Sequence, residues 1–408
     1  MPDDLNPSES SENAVTAVAG DPVDARRRVV NLVGAERRRL GRSPVERIEG
    51  RRRWQIVLKK TLSLLAALFL FVLAIQLMKS GAKSIGPEIK GTFLFDNGSS
   101  ALGFGWLSAY VVLSGSPVAA TALTLFDGHV LTPLQTFTML SGSRLGASFI
   151  VLLTGFLYAF RNRGRNRGES VGMGVLALSL TAIAYVPGML IGYALLRNGT
   201  LSNVHWHASG DVLSLVDYVW GPFQNTIEGL LPGWALLPAG LAVLLVSFKL
   251  LDGVLPQVAG ERAAEGHTSW LRRPWPMFLL GCLVATLTLS VSVALTVLIP
   301  LASKGYIKRR EAIPYIMGAN ITTLADTLVA AMLLGNPVAV QIVLAEAIGV
   351  SIITIFYLAF LYRPMSNGIM ALEEWVVADN VRLSVFVAGL FALPIMLATS
   401  GLTAGLLG

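Results

Sequence analysis

The sequence predicts an all-α polytopic membrane protein made of two inverted repeats and a final C-terminal span. Three observations predict it. Hydrophobic residues make up 53% of the chain and charged residues 14%, with a mean hydropathy of +0.62, whereas a soluble domain carries about 25% charged residues. Several apolar runs reach the roughly 20 residues needed to cross a hydrocarbon core. The basic residues gather at the ends of those runs, as the positive-inside rule describes for cytoplasmic loops.

The net charge of +7 therefore reads as a topology signal, and nucleic acid is not an expected partner. Cys282 is the single cysteine, so no intrachain disulfide can form. Residues 1–25 are polar and lack the apolar core of a cleavable signal peptide, so the first span is expected to act as its own insertion signal.

Residues 1–23 are rich in Ser, Asp, Glu, Asn and Pro and read as a disordered tail. Residues 24–53 carry eleven arginines among Val, Leu and Ile. Such a segment could lie as an amphipathic helix on anionic lipids, or serve only as a cytoplasmic anchor that fixes orientation. Either way the N-terminus is placed inside. Apolar segments come next, at 56–78, 101–126, 133–160, 172–196, 233–251, 276–302, 311–334, 338–361 and 382–404.

If all nine crossed, the basic loop RNRGRNRG (161–168) would fall outside. The charge rule is restored if 101–126 and 276–302 are re-entrant hairpins. Each has a weak middle, LSGSPV at 113–118 and TLSVSVA at 288–294. The loop 161–168, Lys249, Arg262, Arg272, Arg273 and SKGYIKRR (303–310) then all face inside. Re-entrant backbone is tolerated at membrane depth only where it is buried in protein or lines a wet cavity. The remaining spans fall into two sets of three, each with a hairpin after its first member. Three is odd, so the second set is inverted relative to the first, the plan of secondary transporters with a midplane site. The expected segments are a cytoplasmic 1–53, a first repeat 54–200, an external loop 201–232, a second repeat 233–362, and a linker with the last span, 363–408.

The halves also match in detail. VVLSGSPVAATAL is followed by TMLSGSRLGASF, and LTLSVSVALTVL by YIMGANITTLADT. This order resembles the type II sodium/phosphate cotransporter family, whose members carry a Gln-Ser-Ser-Ser motif in each hairpin and Gly-Ala-Asn-Ile-Gly-Thr-Thr in the next helix. LFLFVLAIQLMKSGAKSIGP (68–87) is similar to the family's first span. The resemblance covers roughly 60–362. It implies transport of inorganic phosphate or a related small anion, with Na+ as coupling ion, no further cofactor and no enzymatic activity. It also implies a bacterial-type member in an inner membrane, without the PhoU-like C-terminal domain of some relatives.

The resemblance carries substrate-binding roles onto Ser114, Ser116, Ser290, Ser292, Asn320, Thr322 and Thr323, and cation-binding roles onto Ser143, Ser148, Asn320 and Thr323; as ionisable groups inside spans, Arg144 joins the candidate substrate ligands and Asp326 the candidate cation ligands. Leu113 and Leu289 replace both motif glutamines, and Gly115 and Val291 the middle serines. These departures leave a proton-coupled or exporting carrier with a changed substrate as an alternative, and a non-transporting regulatory or scaffold protein as another. Physically, hydroxyls can bond an anion or coordinate a hard cation, and helix ends at hairpin tips offer N–H groups and carbonyls. Small polar residues also serve close helix packing.

Ionisable groups inside spans point to function by default. Arg144, at the register of Asn320, could neutralise an anion or pair with an internal carboxylate. Asp326 could be a cation or proton site, or Arg144's partner. Glu346 could pair, relay protons or be structural. Asp127 and His129, in LFDGHV, suit a turn. His205 and His207 form a His-x-His pair with no third ligand in view, which is weak evidence for a metal. Nucleophilic triads, paired catalytic carboxylates and phosphate-cradling glycine loops are not apparent. Expected partners are phosphate or a small anion, Na+ and anionic membrane lipids, with a second copy of the chain a further candidate.

Overall fold

A computed structural model describes residues 44–89, 96–161, 167–204, 206, 208–254, 273–288, 291–296, 298–299 and 307–401. The tail 1–23, most of the arginine-rich segment, most of the basic loop 161–168, half of 303–310, His205, His207 and Ser290 lie outside these residues. The chain divides into two compact units, Met1–Leu62 and Ser63–Gly408. The first is described only as the start of the first helix. The second holds the rest of that helix and all the others.

Among the described residues every regular element is a helix. In chain order these are α1 (Pro44–Ile89), α2 (Gly98–Val112), α3 (Ser116–Asp127), α4 (Pro133–Ala147), α5 (Phe149–Arg161) and α6 (Arg167–Arg197). Next come α7 (Gly210–Leu230), α8 (Gly233–Val254), α9 (Pro274–Thr288), α10 (Val291–Thr296) and α11 (Arg309–Thr322). The last four are α12 (Ala325–Leu333), α13 (Pro337–Phe360), α14 (Tyr362–Val377) and α15 (Asn380–Ala398).

Among the described residues, seven stretches are long and apolar enough to cross a membrane: Leu58–Glu88, Pro133–Arg161, Gly168–Arg197, Gly233–Gly253, Arg309–Leu333, Pro337–Phe360 and Asn380–Ala398. These coincide with the seven crossings that the charge pattern demands. The two segments read as hairpins do not supply an eighth or ninth. Instead α2 and α3, of 15 and 12 residues, meet at a turn over 113–115, and α9 has only 15 residues. None reaches the ~20 residues of a full crossing.

The two halves share one packing device. A Cβ on Gly105 would strike the carbonyl of Met139, and one on Gly142 would strike the carbonyl of Leu102, so α2 and α4 touch backbone to backbone. A Cβ on Gly281 would likewise strike the carbonyl of Tyr315, and one on Gly318 that of Phe278, which seats α9 on α11. All four residues of the first set are separated from their counterparts by one and the same number of positions. Lipid supplies no hydrophobic force to press helices together, so small residues that allow close van der Waals contact take over that role.

Two segments that look like connections hold amphipathic helices. Helix α7 lies in the stretch read as an external loop. It packs on α1 through Trp220, whose ring stacks on Phe69 at 5.2 Å and whose indole N–H donates to the Phe69 carbonyl at 2.8 Å. Helix α14 buries Ser366, Ile369, Glu373 and Val376 along one stripe. That spacing of three and four residues is the mark of a helix with one covered face.

Candidate functional site

The spans that carry the two polar clusters are both interrupted. Helix α4 ends at Ala147 and α5 starts at Phe149, with Ser148 between them. Helix α11 ends at Thr322 and α12 starts at Ala325, with Thr323 and Leu324 between them. The breaks fall at matching positions of the two halves. A third interruption is the α2–α3 turn, where Leu113 sits in the left-handed region at φ 56°. A leucine held there costs roughly 1–2 kcal/mol, so the surrounding packing must impose the turn.

Arg144 stands one turn before the Ser148 break and is only 2% exposed. Its Nη1 donates to Ser116 Oγ at 3.3 Å and to Thr323 Oγ1 at 3.0 Å. Its Nη2 donates to Thr327 Oγ1 and lies 3.8 Å from Asp326 Oδ1. Asp326 Oδ1 in turn accepts from the Thr327 backbone N–H at 2.6 Å and the Thr327 hydroxyl at 3.0 Å. The guanidinium thus links the first residue of α3, the break between α11 and α12, and the first turn of α12. Its Nε is buried and makes no hydrogen bond among the described residues. A planar cation with hydroxyls on its fork and a free N–H is a group suited to oxyanion recognition.

A second polar cluster lies beside it. Ser148 Oγ and Thr181 Oγ1 are 2.6 Å apart, and the Asn320 amide donates to Thr181 Oγ1 at 3.1 Å. The Tyr185 hydroxyl donates to the Asn320 carbonyl at 2.8 Å, and its ring is within electrostatic reach of Arg144, Glu346 and Asp326. Helix α13 adds Glu346, which is 0% exposed. Its Oε2 accepts from Ser141 Oγ at 2.8 Å, and Arg144 acts on it electrostatically.

The expected site residues divide accordingly. Ser116, Arg144, Thr323 and Asp326 meet in the first cluster, and Ser148 and Asn320 in the second. Ser143 donates to the Leu140 carbonyl of its own helix at 2.7 Å. Thr322 turns toward α9, bonding the Cys282 carbonyl at 3.2 Å. Ser114 is half-buried in the hairpin turn. Ser292 belongs to α10, but its side chain and all of Ser290 lie outside the described residues. Thr181, Tyr185, Ser141 and Thr327 were missed. The first two stand four residues apart in an otherwise apolar run, SLTAIAYV, which is a shared helix face and the one signal that could have found them.

Asp127 and His129 stand apart from both clusters. Asp127 pairs with Lys79 at 3.3 Å and accepts from the Asn336 amide at 3.3 Å. His129 is exposed in the turn after α3. Among the described residues no group of His, Cys, Asp and Glu is placed to hold a metal ion.

Comparison with known proteins gives partial matches. Over 104 residues the chain is 32% identical to sodium-dependent phosphate transport protein 2B of Pongo abelii and, equally, of Homo sapiens. That stretch is 25% of this chain and 15% of each relative, so the chain spans a small part of the length of these curated relatives. No solved structure matches. Residues 243–396, which include Asn320, the break after Thr322, Asp326 and Glu346, match the model of the Na+/Pi-cotransporter family.

Proposed function

We propose that the protein is a secondary transporter that moves inorganic phosphate or a related small anion, driven by Na+ through alternating access. The observation that carries the reading is Arg144, a buried cation in an interrupted span of membrane-crossing length, Pro133–Arg161, ringed by hydroxyls where two helices break. A charge at that depth is costly and persists where it is used. Ser116, Thr323 and the Arg144 fork make the anion side. Ser148, Thr181 and Asn320 offer neutral oxygens of the kind that coordinate a hard cation, next to broken helix ends. In this reading the two halves are inverted repeats that rock against each other around the shared site, in an integral membrane protein with its N-terminus inside.

The deciding test is uptake of labelled phosphate into proteoliposomes with and without an inward Na+ gradient. Gradient-dependent uptake is expected, and its absence would remove the coupling. Asn320→Ala and Ser292→Ala are each expected to abolish uptake without loss of expression, whereas Arg144→Ala raises the phosphate concentration needed for half-maximal uptake. Full activity in both of the first two variants would place the site elsewhere. Two buried carboxylates beside Arg144 support a second reading, an anion carrier coupled to protons. Varying pH and Na+ separately distinguishes it.

A further inference from the structure

Glu346 has no role in the proposed anion and cation clusters, yet it is fully buried and incompletely bonded. One carboxylate oxygen is held by Ser141, while Oε1 is buried with no hydrogen-bond partner among the described residues. A buried ionised carboxylate needs its lone pairs satisfied and its charge paired. The charged and titratable groups that face it are Arg144 on α4, Tyr185 on α6 and, as the guanidinium's other partner, Asp326 on α12. Asp326 is the carboxylate in ion-pair distance of that guanidinium. Glu346 is bonded to Ser141, three residues before Arg144 on α4, so one internal cation lies close to two internal carboxylates, and the set is neutral only when one of them carries a proton.

We propose that Glu346 is a proton-binding site linked to anion binding at Arg144, so that the anion and one proton bind together. An anion that engages Arg144 withdraws the positive charge that favours ionised Glu346. The carboxylate then takes a proton from water at Oε1, the oxygen left without a partner. Linkage makes the effect reciprocal: a protonated Glu346 tightens anion binding. The inference rests on the proposed anion-binding role of Arg144.

The test uses the full chain in detergent or nanodiscs, with inorganic phosphate as probe. Without phosphate, the protonated-carboxyl band in the infrared is followed against pH in wild type, Glu346→Gln and Asp326→Asn. A band that titrates in wild type and in Asp326→Asn but is missing from Glu346→Gln is expected. The buried Glu373 carboxyl is common to all three proteins and cancels in difference spectra, and a wild-type minus Glu346→Gln spectrum with no titrating band overturns the proposal. Phosphate affinity is then measured against pH in wild type and Glu346→Gln. The ratio of the two cancels phosphate's own titration. Where Glu346 is ionised in the free protein and protonated in the complex, wild-type affinity should fall relative to the variant by about tenfold per pH unit, the slope of one linked proton. A constant ratio overturns the link. A titrating Glu346 with no phosphate binding in either protein would instead sink the anion reading and leave the proton site standing.

Discussion

At the scale of the residue, Arg144 and Asp326 answer a question the sequence poses but cannot close. Arginine at the register of Asn320 could face a substrate or a carboxylate. The structure places Asp326 3.8 Å away, while the shorter contacts go to hydroxyls. The ion pair and the hydroxyl ring are thus parts of one arrangement. Removing one partner of a buried pair leaves the other charge uncompensated, at a cost of about 3–5 kcal/mol. We predict that Arg144→Met lowers the thermal midpoint strongly and that adding Asp326→Asn recovers most of the loss. A double variant no more stable than the single one would show that Asp326 is not the main counter-charge. The polar residues of the 316–327 stretch were legible because each is out of place in an apolar run. Ser141 and Thr181 were not, because their partners lie on other helices and a linear pattern holds no distances between them.

At the scale of the element, the glycine contacts make a symmetric prediction. Leucine at position 142 and leucine at position 318 meet equivalent backbone, at Leu102 and Phe278. Gly142→Leu and Gly318→Leu should therefore each destabilise, by at least the 1–3 kcal/mol, roughly, of an overpacked core, read as similar falls in thermal midpoint. A large fall in one and none in the other would break the equivalence. A second prediction concerns the tie between α11 and α14. Arg309 Nη1 reaches both oxygens of Glu373, at 2.6 and 2.8 Å, and the Glu373 side chain is fully buried. Burial pushes its carboxyl above the usual carboxylate range, and Arg309 pulls it back only in part. The folded state therefore holds this proton more tightly than the unfolded chain. The contribution to stability is complete below the unfolded value of about 4.3 and is lost as pH rises through the folded value. We predict that Arg309→Met extends this fall in the thermal midpoint to higher pH, and that adding Glu373→Gln removes it. The spans themselves were plain in the hydropathy. Helices α7 and α14 were not, because half of each is polar and a search for uniformly apolar runs passes over them.

At the scale of the whole molecule, charge bias did what hydropathy alone could not: it rejected nine crossings in favour of the seven whose lengths the structure bears out. The orientation it implies is testable at two exposed positions. With Cys282 replaced by alanine, a membrane-impermeant thiol reagent applied to intact cells should label Asn198→Cys, after α6. It should label Asn367→Cys, on α14, only once the membrane is opened. Labelling of both from outside would overturn the arrangement. The two glycine-locked helix pairs have a mechanical consequence. Each pair meets through backbone, with no rotamer to adjust, so each behaves as a stiff beam. Arg144 on one beam is bonded across to Thr323 and Thr327 on the segments that continue the other. The seam between the beams is therefore a latch made of a few polar bonds, and sliding one beam past the other requires that latch to open. A guest that offered the guanidinium replacement oxygens would lower the cost of opening it, so under the proposed role of Arg144 the side chain that recognises the guest would also release the bolt.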